Sequence, residues 1–474
     1  MSGEHVPLRS AEEGMAPVIT PAEKYKIRNA IGFSPGAISN PRSGVHSRYS
    51  SRTNLSDVPY LNHQRRKLTL ESLFHGPQRL DRHSKWPLFL RLHGSVTPRM
   101  IIPMLFMALW STFITCICVW VHDLGISNIL LTVMGFVVSL SLSMRMNSAY
   151  ERYMEGRRYW SSLLQASRHL ARCIWIYTTE RDGEEGKEDV IEKLTGINLI
   201  LAFAIALKHR LRFEPEVAYD DLYGLVCHVD TFAKAAYDAG YRTEQKETLM
   251  NRIGEYLRLP FAIANPRKAI KKTRKPIGNL PLEILNNLSA YVWKICNSGK
   301  MKVAAHQSQA CDAIYTMEDA MNGTERVLNT PLPLAYAILI TQITWIYVMT
   351  LPFQLFPTLG WVTIPASMIA TYIIHGLISI CAEIENPFGN DVNDLPLDIF
   401  CHELETDLDI ITSAPPPDAD DIISHPRNMI LYPLSNYSAD QWKDRSIDEL
   451  RAALRAKATV PPASLSRMPS YEHI

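Results

Sequence analysis

The sequence predicts an all-α membrane protein with four transmembrane helices per subunit and a large helical cytosolic region. The chain has 474 residues, of which 47% are hydrophobic, and the hydrophobic residues are concentrated in a few blocks. Four runs in these blocks lack Asp, Glu, Lys and Arg and are long enough to cross a hydrocarbon core as a helix. The predicted spans are about residues 100–121, 124–144, 333–351 and 361–382.

The four spans form two hairpins. Only His122 and Asp123 separate the first two uncharged runs, which leaves room for no more than a tight turn. The second uncharged region covers residues 327–382, and Pro352, Pro357 and Gly360 divide it into two further spans.

Basic residues flank the spans on one side only. They precede the first span and follow the second, whereas the two hairpin loops contain neither Lys nor Arg. The positive-inside rule therefore places both termini and the middle region, residues 150–330, in the cytosol. We expect the plasma membrane, with an internal membrane as the alternative. The flanking basic residues are Lys85, Arg91, Arg99, Arg145, Arg152, Arg157 and Arg158.

The two ends of the chain differ from the part between them. Residues 1–64 are rich in Ser, Arg, Pro and Gly without an apolar period, which predicts a disordered cytosolic tail. Residues 413–474 begin with a Pro-rich stretch and are predicted to form a cytosolic C-terminal tail. The membrane domain is predicted to cover residues 65–412.

The middle region is predicted to be helical. Its apolar run at Leu194–Leu207 is only about fourteen residues long, which is typical of a core helix rather than a membrane span. No Pro or Gly interrupts the chain between the second span and Gly156, so that span is predicted to continue as a cytosolic helix. Apolar residues recur at helical spacing along this continuation: Tyr150, Tyr153, Met154, Trp160, Leu163, Leu164, Leu170 and Ile174.

The chain contains no persuasive catalytic or metal-binding motif. HELET at His402–Thr406 has Thr where a zinc protease helix needs its second His. DVNDLP at Asp391–Pro396 has Pro where an EF-hand loop needs Gly. The net charge of +1 gives no support to nucleic-acid binding, and the eight cysteines, without a CxxC pair, indicate a reduced chain. We therefore expect no enzymatic activity.

The second span carries one stripe of bulky apolar residues. Phe136, Leu140 and Met144 are spaced four apart, which places them on one face of a helix. Such a stripe is typical of a lipid-facing or core surface. The alternative is a hydrophobic constriction, in which several subunits contribute a ring of these side chains and close an ion path by dewetting.

Three motifs resemble the bestrophin family, particularly its microbial and plant branch. RMNSAYERYMEGRRYW at Arg145–Trp160 resembles the signature after the second span, and GTERVLNTPLPLAY at Gly323–Tyr336 resembles the approach to the third. IENPFGNDVNDLPLD at Ile384–Asp398 resembles the segment after the fourth. The motifs occur in the family's order, and the resemblance covers about residues 65–410.

The resemblance implies a homopentameric ion channel with the second helix lining a central pore. It places the family's apolar neck on Phe136, Leu140 and Met144, the stripe already defined by spacing. A second, cytosolic aperture falls near Ala305 by an ungapped count back from Pro333.

The resemblance also assigns a role to the acidic segment after the fourth span. In the family this segment packs against the base of the neck and is coupled to opening, and in animal members it binds calcium. The corresponding ligand positions are Glu383, Asn386, Asp391 and Asp394, of which Asp391 and Asp394 supply two carboxylates to a predicted metal site. In the alternative interpretation these acids cap helix termini and pair with nearby Arg.

The resemblance favours anions as the permeant species. We expect chloride, with nitrate and small carboxylates as further candidates, in a lipid bilayer and with no required cofactor. Calcium is the one candidate cofactor. Two alternatives stay open: a monovalent cation channel of the same fold, and a membrane scaffold without conductance.

Overall fold

The structure is a computed structural model that describes residues 94–126, 128–214, 219–232 and 278–459. Over these residues every regular element is a helix. The tail at residues 1–64 and the last residues of the C-terminal tail lie outside them. The helices are α1 Thr97–Trp120, α2 Asn128–Tyr177, α3 Glu184–Leu211, α4 Tyr223–Val226, α5 Leu280–Asn297, α6 Ala304–Asn329, α7 Leu334–Leu359, α8 Thr363–Ile384, α9 Leu397–Thr412, α10 Ala419–Ile423, α11 Ala439–Lys443 and α12 Ile447–Thr459.

The apolar bundle consists of α1, the first half of α2, α7 and α8, which pack against one another. By length and composition, the described residues contain three helical stretches apolar enough to cross a membrane: Thr97–Trp120, Glu184–Leu211 and the nearly continuous Leu334–Ile384. A short 3-10 turn at Gly360–Val362 separates α7 from α8, and Gly360 has a positive φ of 52°. That conformation suits glycine, which carries no Cβ.

α7 is longer than the third predicted span. It continues through Pro352 and Pro357 to Leu359 instead of ending near Leu351. Proline is tolerated inside membrane helices because neighbouring groups satisfy the carbonyl that it leaves without a partner. The turn of the second hairpin therefore lies at the glycine.

α2 is one unbroken helix of 50 residues, about 75 Å long at the usual rise per residue. The prediction that the second span continues as a further helix is confirmed. Gly156 lies inside this helix, and a Cβ there would come within 2.9 Å of the Phe388 ring. The absence of a side chain at this position lets the segment after α8 pack directly against α2.

The helical core is built from the second half of α2 together with α3, α5, α6 and α9. Trp160 of α2 and Phe203 of α3 are fully buried in it. Within α3, residues 199–207 are all buried. The prediction that Leu194–Leu207 forms a core helix is therefore confirmed, although its composition alone also fits a membrane span.

Between α9 and residue 459 the structure describes three further helices. The Trp175 indole donates a hydrogen bond of 2.8 Å to the carbonyl of Ala414, which attaches the start of this segment to the end of α2. Ser438 forms a capping box with Gln441 at the start of α11.

Candidate functional site

The apolar stripe of α2 is left uncovered by its own chain. Phe136, Leu140 and Met144 are 72%, 54% and 56% exposed, whereas Val138 and Leu142 between them are buried at 4% and 6%. The buried face of α2 packs on α7 and α8, so the exposed face is the one that a single subunit cannot fill. The structure thus brings the three predicted residues onto one open surface.

The segment after α8, which we call the belt (residues 385–396), is tied to the start of α1 through Arg99. The Arg99 guanidinium lies 3.4 Å from the Glu383 carboxylate and 3.8 Å from the Asp391 carboxylate. The Asn393 amide donates to Glu383 at 2.6 Å and to the carbonyl of Gly94 at 2.9 Å. In the sequence, Arg99 is recognisable only as a basic residue that precedes the first span.

Within the belt, Asp394 stabilises a tight turn. Its buried carboxylate accepts a hydrogen bond of 2.7 Å from the backbone N–H of Asp391, and the Leu395 N–H donates to the Pro387 carbonyl at 2.9 Å. Burial raises the pKa of the Tyr153 phenol on α2, and the nearby Asp394 carboxylate raises it further. The belt therefore lies against α2 about two to three turns along the helix from Met144.

Arg152 connects three elements at this level. It donates from Nε to the carbonyl of Glu385 at 3.1 Å and from Nη2 to the carbonyl of Val327 at 2.5 Å, and its Nη1 donates to the carbonyl of Thr330. The Glu385 carboxylate in turn accepts from the N–H of Leu332 at 3.1 Å. We call Arg152 and Glu385 the clamp, because they join α2, the end of α6 and the end of α8. In the sequence, Arg152 is recognisable only as one of the basic residues that flank the spans.

The far end of the belt is held by a charged cluster at the end of α3. The Asp398 carboxylate pairs with Lys208 at 2.9 Å and with Arg212 at 2.8 Å. The Asp398 side chain is 59% exposed. Partial desolvation opposes its ionisation, but Arg212 and Lys208 outweigh this effect and lower the pKa of Asp398. Asp398 thus pairs with two basic groups at the end of α3.

His209 belongs to the same cluster. Its Nδ1 lies 2.7 Å from the Glu214 carboxylate and its Nε2 lies 3.0 Å from the Asp221 carboxylate. Burial opposes protonation, but the hydrogen bonds to Asp221 and Glu214 outweigh it and raise the pKa of His209. The imidazole also stacks on Tyr219 with the ring centres 4.0 Å apart.

Ala305, the predicted cytosolic aperture residue, lies exposed in the first turn of α6. Its neighbour His306 stacks on Tyr177, the last residue of α2, with the ring centres 3.8 Å apart. The Thr179 N–H and hydroxyl both donate to the carbonyl of Lys300 at 3.0 Å. The aperture segment is therefore fixed to the cytosolic end of α2, about 50 Å along the helix from Met144.

The predicted calcium ligands do not converge on one point. Among the residues that the structure describes, no group of three His, Cys, Asp or Glu side chains surrounds a position suited to a metal ion. The Arg99 guanidinium lies between Glu383 and Asp391, where its charge repels a cation. This arrangement does not fit calcium, and calcium binding stays a prediction from the family resemblance.

The comparisons with known proteins decide the family. A family model described as bacterial and fungal bestrophin protein matches residues 78–409. The chain belongs to the bestrophin family. A voltage-dependent anion channel-forming protein of Synechocystis, sll1024, is 30% identical to this bestrophin over 69% of its chain and 92% of the relative. The voltage-dependent anion channel-forming protein YneE of Salmonella typhi is 28% identical over 67% and 88% of the two chains.

A solved structure supports the fold of this bestrophin. The crystal structure of a bacterial bestrophin homolog from Klebsiella pneumoniae matches 66% of this chain and 99% of its own, with a TM-score of 0.50 and 22% sequence identity. The family predicted from the three sequence motifs is confirmed, and the chain is an integral membrane protein of helical fold.

Proposed function

We propose that this bestrophin is a subunit of a passive channel for chloride and other monovalent anions, with five copies arranged around their α2 helices. The observation that carries the proposal is the open apolar stripe of Phe136, Leu140 and Met144. A bulky apolar surface of this kind needs a partner, and copies of the same helix around an axis supply one. The relatives are named anion channel-forming proteins, which supports the same conclusion.

The stripe acts as the gate in this proposal. Rings of apolar side chains from five subunits exclude water when they are narrow, and a dry constriction stops ions without any fixed charge. Rotation or displacement of α2 by a small amount widens the ring and restores a continuous water path. The neck thereby controls conduction while no covalent chemistry takes place.

The belt and the clamp supply the coupling. The belt contacts α2 at Gly156 and the start of α1 through Arg99, and Asp398, two residues beyond it, contacts the end of α3. Arg152 connects the same level of α2 to the turn before α7. A change in the belt is therefore transmitted to the helix that carries the neck.

Ala305 provides the second constriction. Its methyl side chain at the N-terminus of α6 gives a wider ring than a branched residue, so the neck dominates control of the current. Both termini lie in the cytosol, the surrounding medium is the lipid bilayer of the plasma membrane, and the permeant partners are chloride, nitrate and small carboxylates.

The test is a reversal potential in planar bilayers under asymmetric chloride. Purified wild-type protein reverses near the chloride equilibrium potential if the proposal is right. Reversal near the cation potential would keep the fold and replace the selectivity. Silence from protein that native mass spectrometry shows to be pentameric would favour a membrane scaffold.

A second experiment tests the neck. The triple variant Phe136→Ala, Leu140→Ala and Met144→Ala removes most of the apolar ring, so we expect larger currents and weaker gating. The matched control is Val137→Ala, which trims an exposed apolar residue about 100° around the same helix from Phe136. A triple variant with wild-type conductance and wild-type gating would show that the gate lies elsewhere.

A further inference from the structure

Arg145, the residue directly after the neck, is a buried cation without a counter-charge. It is 6% exposed, and its Nε and Nη1 have no hydrogen-bond partner among the described residues. Burying an ionisable side chain at the cytosolic end of a membrane span is costly, and leaving it unpaired is more costly still. The presence of such a group indicates that its charge has a function.

The side chain lies behind the neck rather than on it. Arg145 shares the buried face of α2 with Val138 and Leu142, whereas Met144 is exposed on the stripe. On the facing helix α8, Cys381 lies close enough to Arg145 for their charges to interact. The guanidinium is therefore held inside the subunit, next to the base of the constriction.

The carboxylates closest to Cys381 along α8 are already engaged. Glu383 accepts from Arg99 and Asn393, and Glu385 accepts from the N–H of Leu332. Arg145 forms no ion pair with any described residue, so no carboxylate in direct contact neutralises it, although the Glu385 charge also acts at Cys381.

We infer that Arg145 is a selectivity-determining residue, which acts on permeant anions through its field and not through contact. This inference rests on the proposed function. The neck offers an ion no fixed charge of either sign, and no other Asp, Glu, Lys or Arg occurs in residues 124–145. A buried charge acts through a medium of low dielectric constant and is poorly screened by salt. Five such charges around the axis lower the energy of an anion in the neck and raise that of a cation.

The first test compares Arg145→Met with Arg145→Lys. Methionine fills a similar volume without charge, and replacing a buried charge by an apolar residue is often neutral or stabilising. We expect the chloride to sodium permeability ratio to fall by about tenfold in the methionine variant and to stay near wild type in the lysine variant. Arg172→Met is the control, because Arg172 is exposed on the same helix about 40 Å away. A structural role alone would change the Tm in detergent and leave the ratio unchanged.

The second test keeps the arginine and cancels its field. Cys381→Asp places a carboxylate beside the guanidinium, whereas Cys381→Ser is a neutral change of similar size. The aspartate variant is expected to lose anion preference, and the serine variant to keep it. If the wild type is anion-selective and both Arg145→Met and Cys381→Asp keep its chloride to sodium permeability ratio, the inference is overturned. The proposed function is then unaffected. A cation-selective wild type would overturn both.

Discussion

α3 and the first half of α2 are two apolar helices in opposite surroundings. Phe203 in α3 is fully buried, whereas Phe136 in α2 is 72% exposed. Apolar composition shows that a helix needs an apolar surface to pack against. The structure shows whether the same chain supplies that surface. α3 obtains its partner from the subunit, while α2 leaves its stripe for lipid or for other copies.

The largest expected effect comes from truncating the same residue type in each helix. Phe203→Ala leaves a cavity in a packed core and is expected to cost about 3–5 kcal/mol of unfolding free energy. Phe136→Ala removes an exposed side chain, so we expect a change of about 0.5 kcal/mol or less. Thermal unfolding of each purified variant in the same detergent measures the difference.

The pair has its own control in channel activity. Phe136→Ala is expected to alter gating while stability is kept, and Phe203→Ala to lower the yield of folded protein without a specific gating change. Equal losses of stability would show that Phe136 is buried in the assembly to the same extent as Phe203, and the contrast between the two helices would disappear.

Removal of the clamp is expected to have the next largest effect. Arg152→Ala leaves three backbone carbonyls without their charged donor. Because this site is only half-buried and water replaces part of what is lost, we expect a cost of about 2 kcal/mol, the order of one buried hydrogen bond to a charged group. The matched control is Arg158→Ala, because Arg158 is exposed on the same helix. We expect a lower Tm and altered gating in Arg152→Ala alone. If Arg152→Ala and Arg158→Ala have the same Tm, the contacts of Arg152 do not stabilise the fold.

A smaller effect is expected from pH through His209. Because Asp221 and Glu214 hold the pKa of His209 above its ordinary value, its stabilisation is fully present below the unfolded pKa of about 6.5. This stabilisation is lost as the pH rises through the folded pKa. The Tm of the wild type is therefore expected to fall with rising pH in that window more steeply than that of His209→Gln. Parallel Tm curves would contradict the assignment. The facing Asp221 has a lowered pKa and titrates only in acid.

The smallest expected effect is that of calcium. Since Arg99 already bridges Glu383 and Asp391, exchange of excess calcium for chelator is expected to shift the Tm by about 1 °C or less. Arg99→Gln removes the competing cation and is the variant in which calcium sensitivity would increase. A calcium-dependent rise of several degrees in the wild type would show that the belt rearranges into a binding site.

Much of the fold could be predicted from the sequence, because its signals are local. Length distinguished the core run at Leu194–Leu207 from the spans, and the absence of breakers predicted the continuity of α2. The neck stripe follows from a spacing of four. The end of α7 could not be predicted from Pro352, because a membrane helix accommodates proline when its neighbours allow it.

The contacts of the candidate site are mostly long-range and could not be predicted in the same way. Arg152 meets Val327 and Glu385 across 175 and 233 residues of sequence. Nothing near Arg99 in the sequence identifies Glu383 as its partner, and nothing near Arg145 indicates that it lacks one. Such pairings depend on how the helices are arranged in space.

The central claim, that the exposed stripe of α2 faces a conducting pore, has one most direct measurement. Leu140→Cys and Leu142→Cys channels are recorded before and after a membrane-impermeant thiol reagent, with the wild type as control for the eight native cysteines. Leu140 is 54% exposed and Leu142 is 6% exposed, so the account predicts irreversible block of Leu140→Cys alone. Block of Leu142→Cys with no effect on Leu140→Cys would place a different face of α2 on the pore and contradict the account.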